Sequence, residues 1–308
     1  MIYEDLHLFM TKDGEKIAVW EVINESKKAK SNTAIKRQNI FLTHGTFSDK
    51  NVCLGIASYL ASLGHTCYVM EWRGHGSSSI PEKKFNFETV ATHDYEATFR
   101  YFFDELKLDN LHCVTHSGGG VGLTMFLIQN KHYIDKLNSI SVFACQAYGA
   151  VLNPLSYVKI LGAKIVTKLF GYIPAKNLGM GPINESYYTM TQWYDWNLQK
   201  NFISGFIRNR DIDKQAQYQN SRFDYRQHMP AITTPIYAIS GKGDLFISPT
   251  QGCQLFFEDF GHPDNVFREY AKSKGHLEDY DHTRVLMSRN SSKEIWPTVA
   301  TWIEKYAT

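Results

Sequence analysis

Residues Leu111–Leu123 read LHCVTHSGGGVGL, and the fold turns on how this stretch is read. An apolar run leads to Ser117, three glycines follow at once, and an apolar segment from Val121 to Ile128 takes over. The pattern predicts a strand, a very tight turn and a helix. A serine at such a turn is forced into a strained backbone conformation and stands clear of both flanking elements. Glycines beside it let neighbouring backbone pack close. Two blander readings compete: an ordinary Gly-rich turn, and a phosphate cradle at a helix N-terminus. Against the second, Gly118, Gly119, Gly120 and Gly122 do not give the G-x-G-x-x-G spacing, and the chain has no G-x-x-x-x-G-K-[ST].

Working outward, strand-like and helix-like segments alternate. Residues 5–23 flank Lys12-Asp13-Gly14-Glu15 and predict a β-hairpin with Gly14 at its turn. A polar, Lys-rich gap (26–38) precedes a buried strand from Asn39 that ends in His44-Gly45. A helix over 54–63 and a strand over 65–71 follow, then a loop of turn residues, Trp72-Arg73-Gly74-His75-Gly76-Ser77-Ser78. Helical periodicity covers 89–108, and further strands are expected at 110–115, 140–144, 235–240 and 265–270. Helices are expected at 249–260 and 294–306. This alternation predicts a parallel, doubly wound sheet. Ligands in such sheets sit beyond the carboxyl ends of the strands, where His44-Gly45 and Ser117 both fall.

The alternation breaks between 147 and 230. From Lys136 to Asn184 there is no Asp or Glu, while Lys159, Lys164, Lys168 and Lys176 occur. Tyr187–Asn209 is crowded with aromatic residues. We expect a helical cap inserted at 147–230 between two parts of one core, 1–146 and 231–308.

With 308 residues, of which 43% are hydrophobic, the chain can bury one large core. Its formal charge of +2 offers no footprint for nucleic acid. The five cysteines are odd in number, lie in apolar surroundings and form no C-x-x-C, so they are expected as reduced core residues. No signal-like start and no run of 18 apolar residues occurs, which gives the cytoplasm as the expected setting and no integral membrane segment.

Acyl transfer by a serine requires a base within reach, an acid to orient that base, and N–H donors for the oxyanion. Five motifs occur in order: Leu42-Thr-His44-Gly45-Thr46, Arg73-Gly74-His75-Gly76-Ser77, the turn at Ser117, Ile239-Ser-Gly241-Lys-Gly-Asp244, and Gly275-His276. Together they resemble the α/β-hydrolase superfamily over nearly the whole chain, nearest its capped esterase and lipase-like branch. The resemblance implies Ser117 as nucleophile, His276 as base and then acid, and Asp244 as orienting acid. The oxyanion hole would be the backbone N–H groups of Thr46 and Gly118. His282, in a loop crowded with Glu278, Asp279 and Asp281, is the rival for the base. Thr115 stands where the family's turn carries a glycine, and Glu71 precedes the Arg-Gly loop in a structural role. His44, His75 and His116 are read as loop histidines held by hydrogen bonds.

The expected function is therefore a serine hydrolase cleaving carboxylic esters with a hydrophobic acyl group. No cofactor and no metal is expected, and the partner is a small hydrophobic ester. Thioester, amide and carbon–carbon bond cleavage on the same triad stay open, as does a non-catalytic protein binding a hydrophobic small molecule. Met190, Trp193 and Trp196 recur every three residues, and part of this face is expected to roof the pocket above Ser117. Leu155, Val158, Leu161, Ile165, Leu169 and Phe170 form a second apolar face, expected to bury against its neighbours or to line that pocket.

Overall fold

The residues either side of Gly14 form an antiparallel hairpin, β1 (Ile2–Met10) with β2 (Lys16–Asn24). Gly14 takes a φ of +92°, which a side chain would strain. The computed structural model describes residues 1–25, 36–212 and 220–307. Most of the polar gap at 26–38 thus lies outside the described residues, as do 213–219 of the insertion.

The core strands follow as β3 (Asn39–Thr43), β4 (Thr66–Glu71), β5 (Leu111–His116) and β6 (Leu137–Phe143). After the insertion come β11 (Ile236–Gly241) and β12 (Val266–Tyr270), the labels between them belonging to four short strands described below. They make one eight-stranded sheet in the order β1-β2-β4-β3-β5-β6-β11-β12. Among the described residues of this sheet, only the β1–β2 and β2–β4 pairings are antiparallel. Helices cross over between the parallel strands, as such pairings require. These are α1 (Asn51–Leu63), a helical run α2 from Phe87 to Glu105 with wider π turns, and α3 (Gly118–Gln129).

Strand periodicity divides the core in two. Phe41 on β3 faces Tyr95, Phe99 and Phe102 on one side of the sheet. Its neighbours Ile40 and Leu42 face α1 residues such as Ile56 and Leu60 on the other. Removing the fully buried Phe41 ring would cost about 3–5 kcal/mol. All six residues of β5 are buried, because that strand lies mid-sheet with both faces covered. The five cysteines are buried and unpaired.

Between β6 and β11 the chain forms α4 (Pro154–Phe170), β7 (Tyr172–Ile173), α5 (Ala175–Leu178), β8 (Glu185–Ser186) and α6 (Tyr187–Gln199). Next come β9 (Ile203–Arg208) and β10 (Arg222–Asp224). The insertion is therefore not all helical: β7 pairs with β8 and β9 with β10. Local signals set its helix ends. Asn153 caps α4 with its side chain and Pro154 opens it, while Gly171 ends it at a φ of +79°. Ser186 caps α6 by accepting from the Thr189 N–H. The chain closes with α7 (Thr250–Phe257), α8 (Arg284–Met287) and α9 (Trp296–Lys305). Among the described residues no helix is long and apolar enough to cross a membrane.

Candidate active site

Ser117 stands between β5 and α3 with φ 53° and ψ −124°, a conformation costly for any residue with a side chain. It is held there by a hydrogen bond from its N–H to the Phe143 carbonyl at 2.8 Å and by close packing around it. A Cβ on Gly45 would lie 2.7 Å from the Ser117 Cβ, so the His44-Gly45 loop approaches as only glycine permits. Thr115 fits in place of a glycine because Gly120 faces it: a Cβ on Gly120 would come within 3.1 Å of the threonine hydroxyl. The space lost at one position is returned at the other.

Asp244 follows β11 and is buried. One carboxylate oxygen accepts the N–H groups of Ile247 and Ser248, both at 3.1 Å. The other meets His282 Nδ1 at 2.6 Å, and His282 Nε2 lies 2.9 Å from Ser117 Oγ. Because a carboxylate only accepts, Nδ1 carries the proton and Nε2 is free to accept from the serine hydroxyl. Burial alone would raise the Asp244 pKa. The hydrogen bond and charge of His282 and the surrounding N–H groups outweigh it, holding the carboxyl below its ordinary value.

His282, not His276, therefore occupies the position between Ser117 and Asp244. This corrects the sequence expectation. The Gly275-His276 pair closes a turn at the end of β12: Gly275 adopts φ +86°, and His276 Nδ1 accepts from the Ala271 N–H at 3.0 Å. The ring lies 4.5 Å from that of Tyr270. The chain then runs on before re-entering the site. Tyr280 is clamped where its carbonyl accepts the Gly243 N–H at 2.8 Å, an approach that a side chain on Gly241 would block at 2.2 Å. The Asp281 carboxylate accepts the Thr283 and Arg284 N–H groups at 3.1 and 2.8 Å, shaping the turn that carries His282.

The neighbouring histidines have holding roles. His116 Nε2 donates to the His282 carbonyl at 2.8 Å. Burial, with His282 beside it, lowers the His116 pKa to about 3, so it stays neutral. His44 is likewise held neutral by burial and by His75, its Nε2 accepting from the Trp72 N–H at 3.3 Å. His75 differs. Its burial favours the neutral form, but the buried Glu185 carboxylate, 2.8 Å from Nε2, outweighs that and raises the pKa. The same Glu185 oxygen accepts the Phe47 N–H at 3.2 Å, next to Thr46. In the sequence Glu185 stands out only within the Met180–Trp196 segment that resembles the insertion of the capped branch, with no catalytic or holding role attached to it.

Glu71 accepts from the Lys50 and Ser77 N–H groups and from the Trp20 indole, each at 2.9 Å, which ties two loops to strand β2. Arg73 is held by Asp94 and Asp13, its Nε lying 2.7 Å from Asp94 Oδ1.

Ser117, Gly118 and Thr46 line a cavity of about 440 Å³ whose other walls are almost wholly apolar. Met190 and Trp193 of α6 belong to these walls, with Phe87, Ile173 and Tyr194. Trp196 does not, which corrects the second expectation. Its indole donates to the Ile203 carbonyl at 2.9 Å and packs on Phe202 and Phe87. Each three-residue step turns about 60° on a helix, so two steps from Met190 swing the side chain out of the wall. A second cavity of about 420 Å³ borders Asp244, His282 and His116 and is lined by Ser48, Asp281 and Thr283. The two cavities share Thr46, Phe47, Met180, Phe246 and Ile247.

The family model for the alpha/beta hydrolase fold matches residues 38–277. The chain belongs to that family. Among solved structures it is similar to the α/β hydrolase GrgF from Penicillium sp. sh18, at 15% identity and a TM-score of 0.64, covering 99% of both chains. It is also similar to the esterase EaEST from Exiguobacterium antarcticum, at 16% identity and a TM-score of 0.63, covering 96% of this chain and 98% of that one. A thermophilic esterase from Thermogutta terrifontis aligns at 15% identity and a TM-score of 0.59, over 99% of this chain and 100% of that one. At such identities the likeness is one of fold. No curated protein sequence matches the chain.

Proposed function

We propose that the protein is a serine hydrolase that cleaves carboxylic esters with a hydrophobic acyl group. The observation carrying this reading is the hydrogen-bonded chain Asp244–His282–Ser117 at the wall of an apolar cavity. Ser117 Oγ attacks the ester carbonyl carbon while His282 Nε2 takes its proton. Asp244 holds the imidazole in the tautomer that accepts and stabilises the imidazolium that results. The negative charge on the carbonyl oxygen is taken up by the N–H groups of Thr46 and Gly118, the Glu185–Phe47 hydrogen bond fixing the loop beside the first. His282 then gives its proton to the departing alcohol. Water, deprotonated by the same imidazole, releases the acid from Ser117.

The two cavities support a division of the substrate. The acyl chain fits the apolar one, and the more polar one beside His282 suits the alcohol and the incoming water. In this reading residues 147–230 act as a cap whose Met190 and Trp193 hold the acyl chain. The esterases among the similar structures favour esters over amides or thioesters as the first substrates to try. A fluorophosphonate probe should label Ser117 in the wild type and not in Ser117→Ala, read by peptide mass spectrometry. p-Nitrophenyl esters from acetate to palmitate then rank the acyl chain. Absence of both labelling and turnover of every ester would overturn the proposal and leave a binding protein of the same fold.

A further inference from the structure

Helix α4 turns outward the face that an amphipathic helix ordinarily buries. Of its 17 residues only Ile160 and Thr167 are buried. At about 100° per residue, Leu155, Val158, Leu161, Ile165 and Leu169 fall within an arc of about 120°, opposite those two. They are exposed, Leu169 at 80% and Val158 at 62%. The expectation that this face packs against its neighbours is thus reversed, and Lys164 points inward to pair with Asp195. Five large apolar side chains on one solvent-facing stripe demand a covering partner.

Three observations identify it. First, Lys159 and Lys168 are exposed and lie about 90° to either side of the stripe. This is the arrangement in which lysine stems lie along a lipid surface while their charges reach the headgroups. Second, the stretch that carries α4 holds only basic charge: from Lys136 to Asn184 there is no acid, although the whole chain is near balance at +2, and Asp195 of α6 is taken up by Lys164. Third, the same helix reaches the cavity mouth. Val166, Phe170, Tyr172, Leu178 and Met180 line the cavity and are themselves exposed, Phe170 at 71%. A second copy of the chain fits poorly, because a two-fold contact through this face would set each lysine-flanked stripe against another of the same sign.

We propose that α4 and the cavity rim form a docking face for an anionic lipid bilayer. The helix lies in the plane of the interface, and the cavity opens onto the acyl chains. That the docked mouth admits a substrate rests on the proposed hydrolase activity; the docking itself does not.

The test measures binding without turnover. The full chain is co-sedimented with vesicles of phosphatidylcholine and phosphatidylglycerol, and with phosphatidylcholine alone. We expect binding to the anionic vesicles that weakens with salt and is weaker on the neutral ones. The double variants Ile165→Glu/Leu169→Glu and Lys159→Glu/Lys168→Glu should each bind roughly tenfold more weakly. Both pairs are exposed and outside the cavity lining, so circular dichroism and the melting temperature should match the wild type. Sedimentation velocity in the absence of lipid supplies the other arm. A wild-type dimer that either double variant dissociates, with no vesicle binding, would overturn the proposal in favour of self-association. A monomer that ignores anionic vesicles, or variants that bind as well as wild type, would overturn it outright.

Discussion

His276 and His282 differ by six positions and by everything that matters to proton transfer. His282 bridges Ser117 and Asp244, while His276 is turned back onto its own strand. Under the proposed mechanism, His282→Asn should lower kcat by about 10⁴ or more, as should Ser117→Ala. His276→Asn should leave kcat/KM close to wild type and stability within about 0.5 kcal/mol. Steady-state kinetics on one p-nitrophenyl ester checks all three. A large loss from His276→Asn with none from His282→Asn would reverse the assignment. Neither residue was separable in the sequence, because each sits in a polar loop after the same strand. The Gly-His pair favoured the wrong one, since Gly275 serves the turn that closes β12, not the site.

At the scale of elements, α6 carries two tryptophans with opposite expected behaviour. Trp193 lines the cavity, so Trp193→Ala should lower the ratio of octanoate to acetate kcat/KM by up to tens-fold, about 0.8 kcal/mol being at stake per buried methylene. Trp196→Phe removes only an indole bond and some packing, and should leave that ratio unchanged while lowering the melting temperature. The helix is also pinned to the core by Glu88 of α2. Its carboxylate accepts from Gln192 at 2.6 Å, the Gly205 N–H at 2.8 Å and the Tyr225 hydroxyl at 2.9 Å, and from Ser204 as well. All four donors belong to the insertion. Glu88→Ala strands them in a buried site and should cost about 3 kcal/mol or more, seen as a Tm roughly 5–10 °C lower. A loss below about 1 kcal/mol would show that the pin is dispensable.

For the whole molecule, the buried His75–Glu185 pair joins the insertion to the loop after β4 and, through Phe47, to the Ser117 site. His75 has a raised pKa in the folded chain, despite a burial that by itself would lower it. The stability it contributes is therefore full below the unfolded value of about 6.5 and is lost as pH rises through the folded value. The wild type should lose part of its melting temperature as the pH rises above about 6.5, and Glu185→Gln should flatten that segment of the curve. Equal slopes in both proteins would exclude the pair as a source of the pH dependence.

The sequence by itself determined what local chemistry dictates. Alternating apolar runs gave the core strands and crossover helices, Gly14 gave the hairpin, and the run from Leu111 through the glycines gave the turn that presents Ser117. Asp244 came from the resemblance to the α/β-hydrolases, in which the acid follows the nucleophile in the chain and stands after a strand. Tertiary structure alone decided which histidine meets that acid, because the path of 276–282 is set by Tyr280 seated on Gly241 and Gly243, a contact between segments far apart in the chain. It also decided the faces of the insertion. The apolar stripe of α4 predicts a buried face as readily as an exposed one, since periodicity records that a face exists, not what stands opposite. Only the packing of Ile160 and Thr167 inward, with Lys164 drawn to Asp195, turns Leu155, Ile165 and Leu169 to the outside.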